Sequence, residues 1–362
     1  MNPTKFLVAS LCCFVGSVLA YFGAIDRLAI PRLPLGKSYR QFLLSASDGI
    51  DGRIVIESGS NSVYGIDALQ IEKHFGRLTI VIADNAGYPL RHKIFRLRRH
   101  LRAGDTVILA LEWLQYRTDS KLPLDYVQSM IDAEGSNAFY YRELPLRERF
   151  LFVLRDLPFV PALRSALSLN ALPRWNPALG SAASASRASF REAILRSDRG
   201  SHMTVDEVPI EVLTASLACD NFLFGLFETP RVSPTFLDNL ELLAKLRDET
   251  KANILLTWPA VVARDDDECY ALLPEAIDVF VKQIEASAAL HGFAFIGRKE
   301  QSRFDHRCMR DTYYHLRPEC AAERTRVLIE AIEAAGAIQK APRAQRDFGA
   351  ALEQRLASLD GE

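Results

Sequence analysis

Short apolar runs alternate with helical patterns near the start of the chain, and this alternation constrains the fold more than any other feature. The apolar runs cover residues 53–56, 78–83 and 106–111. Residues 66–75 and 89–103, which lie between them, have helical spacing, and a glycine follows each. Continuous apolar strands separated by helices are typical of a parallel sheet that is covered on both faces.

The same alternation returns in the second half of the chain. Residues 253–257 and 293–296 read as a fourth and a fifth strand, and helices are expected over residues 235–251, 274–290 and 318–335. The sequence therefore predicts an α/β fold, a three-layer α/β/α sandwich with a mainly parallel five-stranded sheet.

A long segment interrupts the predicted α/β domain, which spans residues 51–338. The insertion covers residues 121–206, with an amphipathic helical part over 121–172. Residues 173–206 are rich in Ala, Ser, Gly and Arg and predict a flexible loop, either a lid over the site or a disordered excursion. Residues 339–362 form a charged tail.

The N-terminal segment is apolar and uncharged from Phe6 to Ala24, which matches the ~20 residues that a bilayer core requires. It is either a signal peptide cut near residues 17–20 or an uncut signal anchor. The anchor is favoured because the apolar run continues past the cut. Residues 1–25 are therefore predicted as a transmembrane helix, 26–50 as a linker, and the bulk of the chain as extracytoplasmic.

The composition narrows the choice of partners. With 44 basic and 45 acidic residues the net charge is -1, so the sequence gives no reason to expect a nucleic acid partner.

The cysteines show no metal-ligand spacing, and we expect neither a metal nor a cofactor. Two of the six lie in the apolar N-terminus. The other four form up to two disulfides or remain buried thiols: Cys219, Cys269, Cys308 and Cys320.

A serine turn follows the first strand. Residues 53–67 read as a strand, a turn of Ser, Gly and Asn, and the start of a helix, with Ser60 in the turn. A hydroxyl at such a position stands beside free backbone N–H groups, which suits a nucleophile and the oxyanion that it generates. The alternative is an ordinary strand-to-helix loop of small residues.

A nucleophilic serine requires a base, and the base requires a carboxylate that orients it. His315 lies after the fifth strand and shares one short loop with Asp311. Loops that follow parallel strands gather at the carboxyl edge of the sheet, so both residues can meet Ser60 there. Asp305 and His306 are a rival pair, although adjacent residues on an extended loop tend to point apart.

Three blocks of this sequence resemble, in order, those of the SGNH (GDSL-type) hydrolases. They are Ser58-Gly-Ser-Asn61, Asn85-Ala-Gly87, and Asp311 with His315. The resemblance spans roughly residues 53–335. It implies the α/β/α fold of that family and a serine-dependent acyl-ester chemistry.

Carried over residue by residue, the resemblance makes Ser60 the nucleophile, His315 the base and Asp311 its orienting partner. It also implies that the backbone N–H groups of Gly87 and of Ser60 or Asn61 hold the oxyanion. Asn85 is either a third donor or the cap of a turn.

The sequence departs from the family pattern at each block. Ser58-Gly59 stands where Gly-Asp is usual, and three residues rather than two separate Asp311 from His315. Glu112-Trp113 ends the third strand, where the family supplies an oxyanion-hole asparagine. Glu112 either orients a ligand or the backbone beside the site, or pairs with a nearby arginine.

The run from Ser60 to Asp67 resembles membrane-anchored SGNH-like proteins of bacterial exopolysaccharide and cell-wall acylation systems. That implies a single-pass protein of the bacterial inner membrane with a periplasmic domain, which hydrolyses or transfers an acyl ester, such as an acetyl ester, on an envelope or secreted polysaccharide. A polysaccharide synthase or a membrane acyltransferase is the expected protein partner. The alternatives are a catalytically inactive scaffold and a lipid acyl-hydrolase.

The basic helix within 91–102 either meets acidic polysaccharide or lipid headgroups, or is simply solvated.

Overall fold

The computed structural model describes residues 3–26, 39–117, 122–131, 138–160, 199–201, 230–262, 274–341 and 348. Within these residues the chain is an α/β protein with a five-stranded parallel sheet and one apolar N-terminal helix. The predicted loop 173–206 and the tail 339–362 lie mostly outside the described residues.

The main sheet contains five strands, which are β1 (Ile54–Glu57), β2 (Thr79–Val81), β3 (Thr106–Leu109), β4 (Asn253–Thr257) and β6 (Phe295–Ile296). Their order is β2-β1-β3-β4-β6, and every pairing is parallel. This confirms the predicted five-stranded parallel sheet, with shorter strands than expected at three of the five positions. A separate pair consists of β5 (Val261–Val262) and β7 (Arg303–Phe304).

The helices that cover the sheet agree closely with the periodicity of the sequence. Asp67 caps the helix over Ala68–Phe75 by accepting from the amide of Gln70, and Gly76 ends this helix in the left-handed conformation with φ 67. The covering helices are α4 (Ala68–Phe75), α5 (Leu90–Arg98), α9 (Pro234–Thr250), α10 (Pro274–Leu290) and α11 (Pro318–Ala334).

Helix α5 ends earlier than the sequence predicts, at Arg98 instead of near residue 103. The amide of Arg102 donates to the carboxylate of Asp105, 3.1 Å away, rather than to a helical carbonyl. The same carboxylate also forms an ion pair with the buried guanidinium of Arg53 at 2.9 Å. This pairing turns the chain into β3 before another helical turn can form.

The two faces of the sheet are covered by different helices. Ile54 and Ile56 pack in one apolar cluster with Ile71 of α4 and Ile332 of α11. Because side chains alternate along a strand, Glu57 points to the opposite face, where it pairs with Arg96 of α5. Helices therefore lie on both faces, as predicted.

The chain divides into two compact units. One comprises Met1–Ser38 and Lys121–Phe190, and the other comprises Tyr39–Ser120 and Arg191–Glu362. The five-stranded sheet belongs to the second unit. In the first unit, α1 (Pro3–Ala24) is accompanied by α6 (Leu124–Ile131), α7 (Ala138–Glu143), α8 (Leu146–Leu151) and a π-helical turn over Phe152–Asp156.

Part of the predicted linker 26–50 is helical. Helix α2 (Tyr39–Ala46) buries Phe42, Leu43 and Leu44 and packs near β2. Prolines at 31 and 34 suggested an extended linker, but the apolar residues after them have a sheet edge to cover. Residues 27–38 lie outside the described part.

Candidate active site

The serine turn connects β1 to α3 (Ser60–Val63), a helix of one turn in which Ser60 is the first residue. Glycine is required just before it, because a Cβ on Gly59 would overlap the carboxylate of Glu112 and the backbone of Ala86. Behind the turn, the hydroxyl of Ser58 donates to that of Ser62 at 2.6 Å. The turn lies at the carboxyl end of β1, where the strand order of the sheet reverses between β1 and β3, the usual position of a ligand crevice.

His315 and Asp311 lie in a hairpin that precedes α11. Met309 and Leu316 form an antiparallel bridge, and the amide of Arg310 donates to the carbonyl of His315 at 2.8 Å. Residues 311–314 are the tip of this hairpin. The amide of His315 donates to the hydroxyl of Thr312 at 3.2 Å, which fixes the tip. The three residues between Asp311 and His315 are therefore the turn that brings the two side chains together.

The three side chains form one hydrogen-bonded line. His315 Nε2 lies 2.8 Å from Ser60 Oγ, and His315 Nδ1 lies 2.6 Å from Asp311 Oδ1. A carboxylate only accepts, so Nδ1 carries the proton that it donates to Asp311. Nε2 is then the acceptor of the Ser60 hydroxyl proton, which is the arrangement that a general base requires.

Two further side chains surround His315. The ring of Tyr64 packs against the imidazole, with ring centroids 4.3 Å apart, and the Arg310 guanidinium lies 4.9 Å from the Tyr64 ring centroid. Burial lowers the pKa of His315 below its ordinary value, Asp311 raises it in part, and Arg310 lowers it. The imidazole is therefore neutral near pH 7 and able to take a proton.

Glu112 lies behind the serine turn and is fully buried. Its two carboxylate oxygens accept from the amides of Gly59 at 2.9 Å and Asn61 at 3.2 Å. Burial raises the pKa of Glu112, while its bond to Asn61 and the nearby Lys93 lower it. Of the predicted roles, the contacts support orientation of the backbone around Ser60 rather than contact with a substrate.

Two of the predicted oxyanion donors, the amides of Asn61 and Gly87, are already bonded to other acceptors. The Asn61 amide is bonded to Glu112, and the Gly87 amide donates to Asn85 Oδ1 at 2.7 Å. Asn85 is thus the cap of a turn, one of its two predicted roles. The Ser60 amide differs from these two, because no acceptor among the described residues bonds to it.

The side chain of Asn61 is structural as well. It donates to the Ala110 carbonyl at 2.8 Å and accepts from Arg324 of α11 at 2.9 Å. Arg324 also donates to the Asn61 carbonyl at 3.0 Å. Burial lowers the pKa of Arg324 to about 9. These bonds connect the serine turn to β3 and to the helix that follows the histidine hairpin.

The basic helix is not solvated throughout, contrary to the simpler of the two expectations. Lys93 and Arg96 are buried and ion-paired with Asp84, and both lie against Glu57. Lys93 also donates to the Ser58 carbonyl at 2.7 Å. Lys93 and Arg96 therefore support the serine turn from within the protein. They pair with Glu57, which ends β1, and Asp84, which follows β2, and carboxylates removed from water require such cationic partners.

A disulfide joins Cys308 to Cys320, with the two Cα atoms 5.6 Å apart. It closes the base of the hairpin that carries Asp311 and His315. This resolves the open choice between disulfides and thiols for these two residues, while Cys219 and Cys269 lie outside the described part.

The rival pair of Asp305 and His306 is also in contact, at 3.3 Å. The Ser60 hydroxyl, however, is bonded to His315.

Four supporting residues were missed in the sequence: Tyr64, Lys93, Arg310 and Arg324. Tyr64 follows Ser60 by one helical turn, and this spacing was a usable signal. Arg324 follows His315 by nine residues, so nothing local indicated that it contacts the serine turn.

Comparison with known proteins adds no assignment to this geometry. No protein-family model matches the chain, and no curated protein matches it either.

Proposed function

We propose that the chain is a serine-dependent acyl-ester enzyme of SGNH type, an esterase or O-acyltransferase acting on an envelope or secreted polysaccharide. The observation that carries the proposal is the line from Ser60 Oγ through His315 to Asp311, with contacts of 2.8 and 2.6 Å. The resemblance of the three sequence blocks is the reason for preferring the SGNH type over other serine enzymes.

The proposed reaction starts when Ser60 Oγ attacks the ester carbonyl and His315 Nε2 takes the hydroxyl proton. Asp311 stabilises the imidazolium, and the Ser60 amide donates to the oxyanion; one such donor is typically worth ~3 kcal/mol of barrier. When the tetrahedral intermediate collapses, the proton passes to the departing sugar oxygen and an acyl-serine remains. Water then releases the acid, or a sugar hydroxyl accepts the acyl group.

An extracytoplasmic location supports a polysaccharide substrate. The Cys308–Cys320 disulfide is typical of an oxidising compartment. Helix α1 is long and apolar enough to cross a membrane, a property that it shares with signal sequences. We propose a single-pass protein of the bacterial inner membrane whose sheet-bearing unit lies in the periplasm.

A specific observation favours the alternative of an inactive scaffold. Two backbone amides that were expected as oxyanion donors, those of Asn61 and Gly87, are bonded to side-chain oxygens. A site with one donor stabilises a tetrahedral intermediate less than a site with several donors. A chemical test of Ser60 therefore has to decide between the two functions.

The test is labelling of the full chain with a fluorophosphonate, which reacts only with an activated serine. We expect labelling of the native chain and of Ser62→Ala, and none of Ser60→Ala. Ser62 is the matched control because it lies in the same short helix and its hydroxyl contacts Ser58 rather than His315. A folded native chain that remains unlabelled supports the scaffold and excludes the enzyme.

Hydrolysis and transfer are separated by a second measurement. Incubation with a p-nitrophenyl acetate donor and a polysaccharide acceptor yields free acetate from an esterase and acetylated polysaccharide from a transferase. Loss of either product in Ser60→Ala assigns it to this site.

A further inference from the structure

The C-terminal end of α1 contacts two aromatic side chains of its own unit, one on each side of the π-helical turn over Phe152–Asp156. Tyr21 contacts Phe159, with ring centroids 5.6 Å apart, and Phe22 contacts Phe150 at 5.3 Å. Both contacts lie within the last four residues of α1. They fix the depth of Phe150 and Phe159 relative to the end of the apolar helix.

Residues 146–160, which we call the interfacial segment, expose large apolar side chains. Leu146 is 69% exposed, Phe159 is 59% exposed and Val160 is 65% exposed. Leu154 is a fourth exposed apolar residue of the segment. Surface apolar residues scattered singly need no explanation, but four of them within one short segment beside an apolar helix do. We call these four residues the patch.

Charged groups mark the boundary of this apolar level. Asp26, two residues beyond α1, accepts from the hydroxyl of Tyr141 at 2.8 Å and lies near Arg142 and Arg149. At the ~1.5 Å rise per residue of a helix, Asp26 is about 6 Å further along than Phe22. The aromatic contacts therefore sit about one helical turn inside the level of the first charges.

The helix beside these residues is itself apolar and exposed. None of the α1 side chains is buried, and at ~1.5 Å per residue the helix spans about the ~30 Å of a bilayer core. Aromatic side chains are enriched where such helices leave the bilayer. Arg147 and Arg155 of the interfacial segment are exposed, 80% and 66%. An arginine stem is long enough to bring its charge to the headgroups from a shallowly immersed backbone.

We propose that the interfacial segment lies in the headgroup region of the membrane that α1 crosses, with Leu146, Leu154, Phe159 and Val160 toward the acyl chains. The unit that contains α1 then contacts the membrane through the interfacial segment as well as through α1. The proposal requires that α1 is retained and membrane-spanning. It does not depend on the chemistry of Ser60.

The test places a fluorescent probe at Phe159→Cys in the full chain, reconstituted in phosphatidylcholine and phosphatidylglycerol vesicles. The other cysteines outside the disulfide are first replaced: Cys12→Ala, Cys13→Ala, Cys219→Ser and Cys269→Ser. The matched control is Leu290→Cys, an exposed leucine, 86%, at the end of α10 in the other unit. Val160→Cys repeats the measurement at a second exposed position, so that one poorly folded variant does not decide the result.

We expect lipid-borne nitroxide to quench the probes at 159 and 160 several-fold more than the probe at 290. Aqueous iodide is expected to show the reverse order. Equal iodide quenching at 159 and 290 overturns the proposal. Shielding of 159 from both quenchers also overturns it, because the patch is then covered by protein, such as a second copy of the chain.

Discussion

Asp311 has two effects on His315 at the scale of single residues. It orients the imidazole through the 2.6 Å contact to Nδ1, and its charge raises the pKa of His315 against the larger lowering by burial. Because the net shift of the His315 pKa is downward, the imidazole stays neutral to a pH below the ordinary pKa of histidine. We therefore expect the acid limb of the pH–rate profile of acylation to lie below ~6.5.

Asp311→Asn is predicted to separate these two effects. Removal of the charge lowers the His315 pKa further, so the acid limb moves to lower pH, while the maximal acylation rate falls by roughly 100- to 10,000-fold. Fluorophosphonate labelling rates between pH 4 and 8 measure both changes. An acid limb that moves upward contradicts this assignment of Asp311.

Glu112→Gln is predicted to disturb the serine turn without touching the triad. Glutamine keeps one acceptor oxygen but turns an NH₂ group toward one of the two amides, those of Gly59 or Asn61. Loss of a charge-assisted bond costs roughly 2 kcal/mol, so we expect a lower unfolding free energy and a slower labelling rate. Urea unfolding measures the unfolding free energy, and fluorophosphonate kinetics measure the labelling rate.

The control for this substitution is Glu300→Gln, because Glu300 is exposed. It should leave both quantities unchanged. Labelling of Glu112→Gln at the native rate, with stability alone reduced, would show that Glu112 supports the fold but does not position Ser60.

The hairpin of residues 309–316 is the element that delivers the base and its carboxylate. Its outer face packs on the small β5–β7 pair: Val262 and Met309 share one apolar cluster, and the Val262 amide donates to the Tyr313 carbonyl at 3.1 Å. At its base, the Arg317 amide donates to the Cys308 carbonyl at 2.8 Å, beside the disulfide. The hairpin is thus fixed at both ends independently of the main sheet.

Reduction of Cys308–Cys320 is predicted to slow acylation while the sheet stays folded. The disulfide closes a loop with a sequence separation of 12, which is worth roughly 2–3 kcal/mol by chain entropy. Its loss releases the base of the hairpin and widens the distribution of His315–Ser60 distances. The labelling rate with and without reductant is the measurement.

The double variant Cys308→Ser, Cys320→Ser is the control for other effects of the reductant. It should label as slowly as the reduced native chain and be insensitive to reductant. Unchanged labelling after two free thiols have been counted at these positions would contradict a positioning role for the disulfide.

The whole molecule consists of the first unit, which contains α1, and the second unit, which contains the sheet and the candidate site. Retention of α1 is predicted because its apolar run continues past the possible cut near residues 17–20, through Tyr21 and Phe22. Intact mass of the membrane fraction should include residues 1–20, and extraction should require detergent. A soluble mature chain that begins near Tyr21 contradicts the anchor.

The sequence by itself determined the parallel sheet, its five strands and the residues of the proposed triad. Each follows from local information, such as apolar runs, helix caps and the four-residue separation of Asp311 and His315 on one loop. Helix ends were less certain, because α5 stops where Asp105 captures the Arg102 amide.

Only the tertiary structure decided how the site is supported. Glu112 lies more than fifty positions from the serine turn and Arg324 more than two hundred and fifty, as their contacts with Asn61 show. A buried carboxylate and a buried guanidinium have no local pattern, since their stability depends on partners brought close by the fold. For the same reason the sequence assigned the Asn61 and Gly87 amides to an oxyanion, whereas the folded chain bonds them to Glu112 and Asn85.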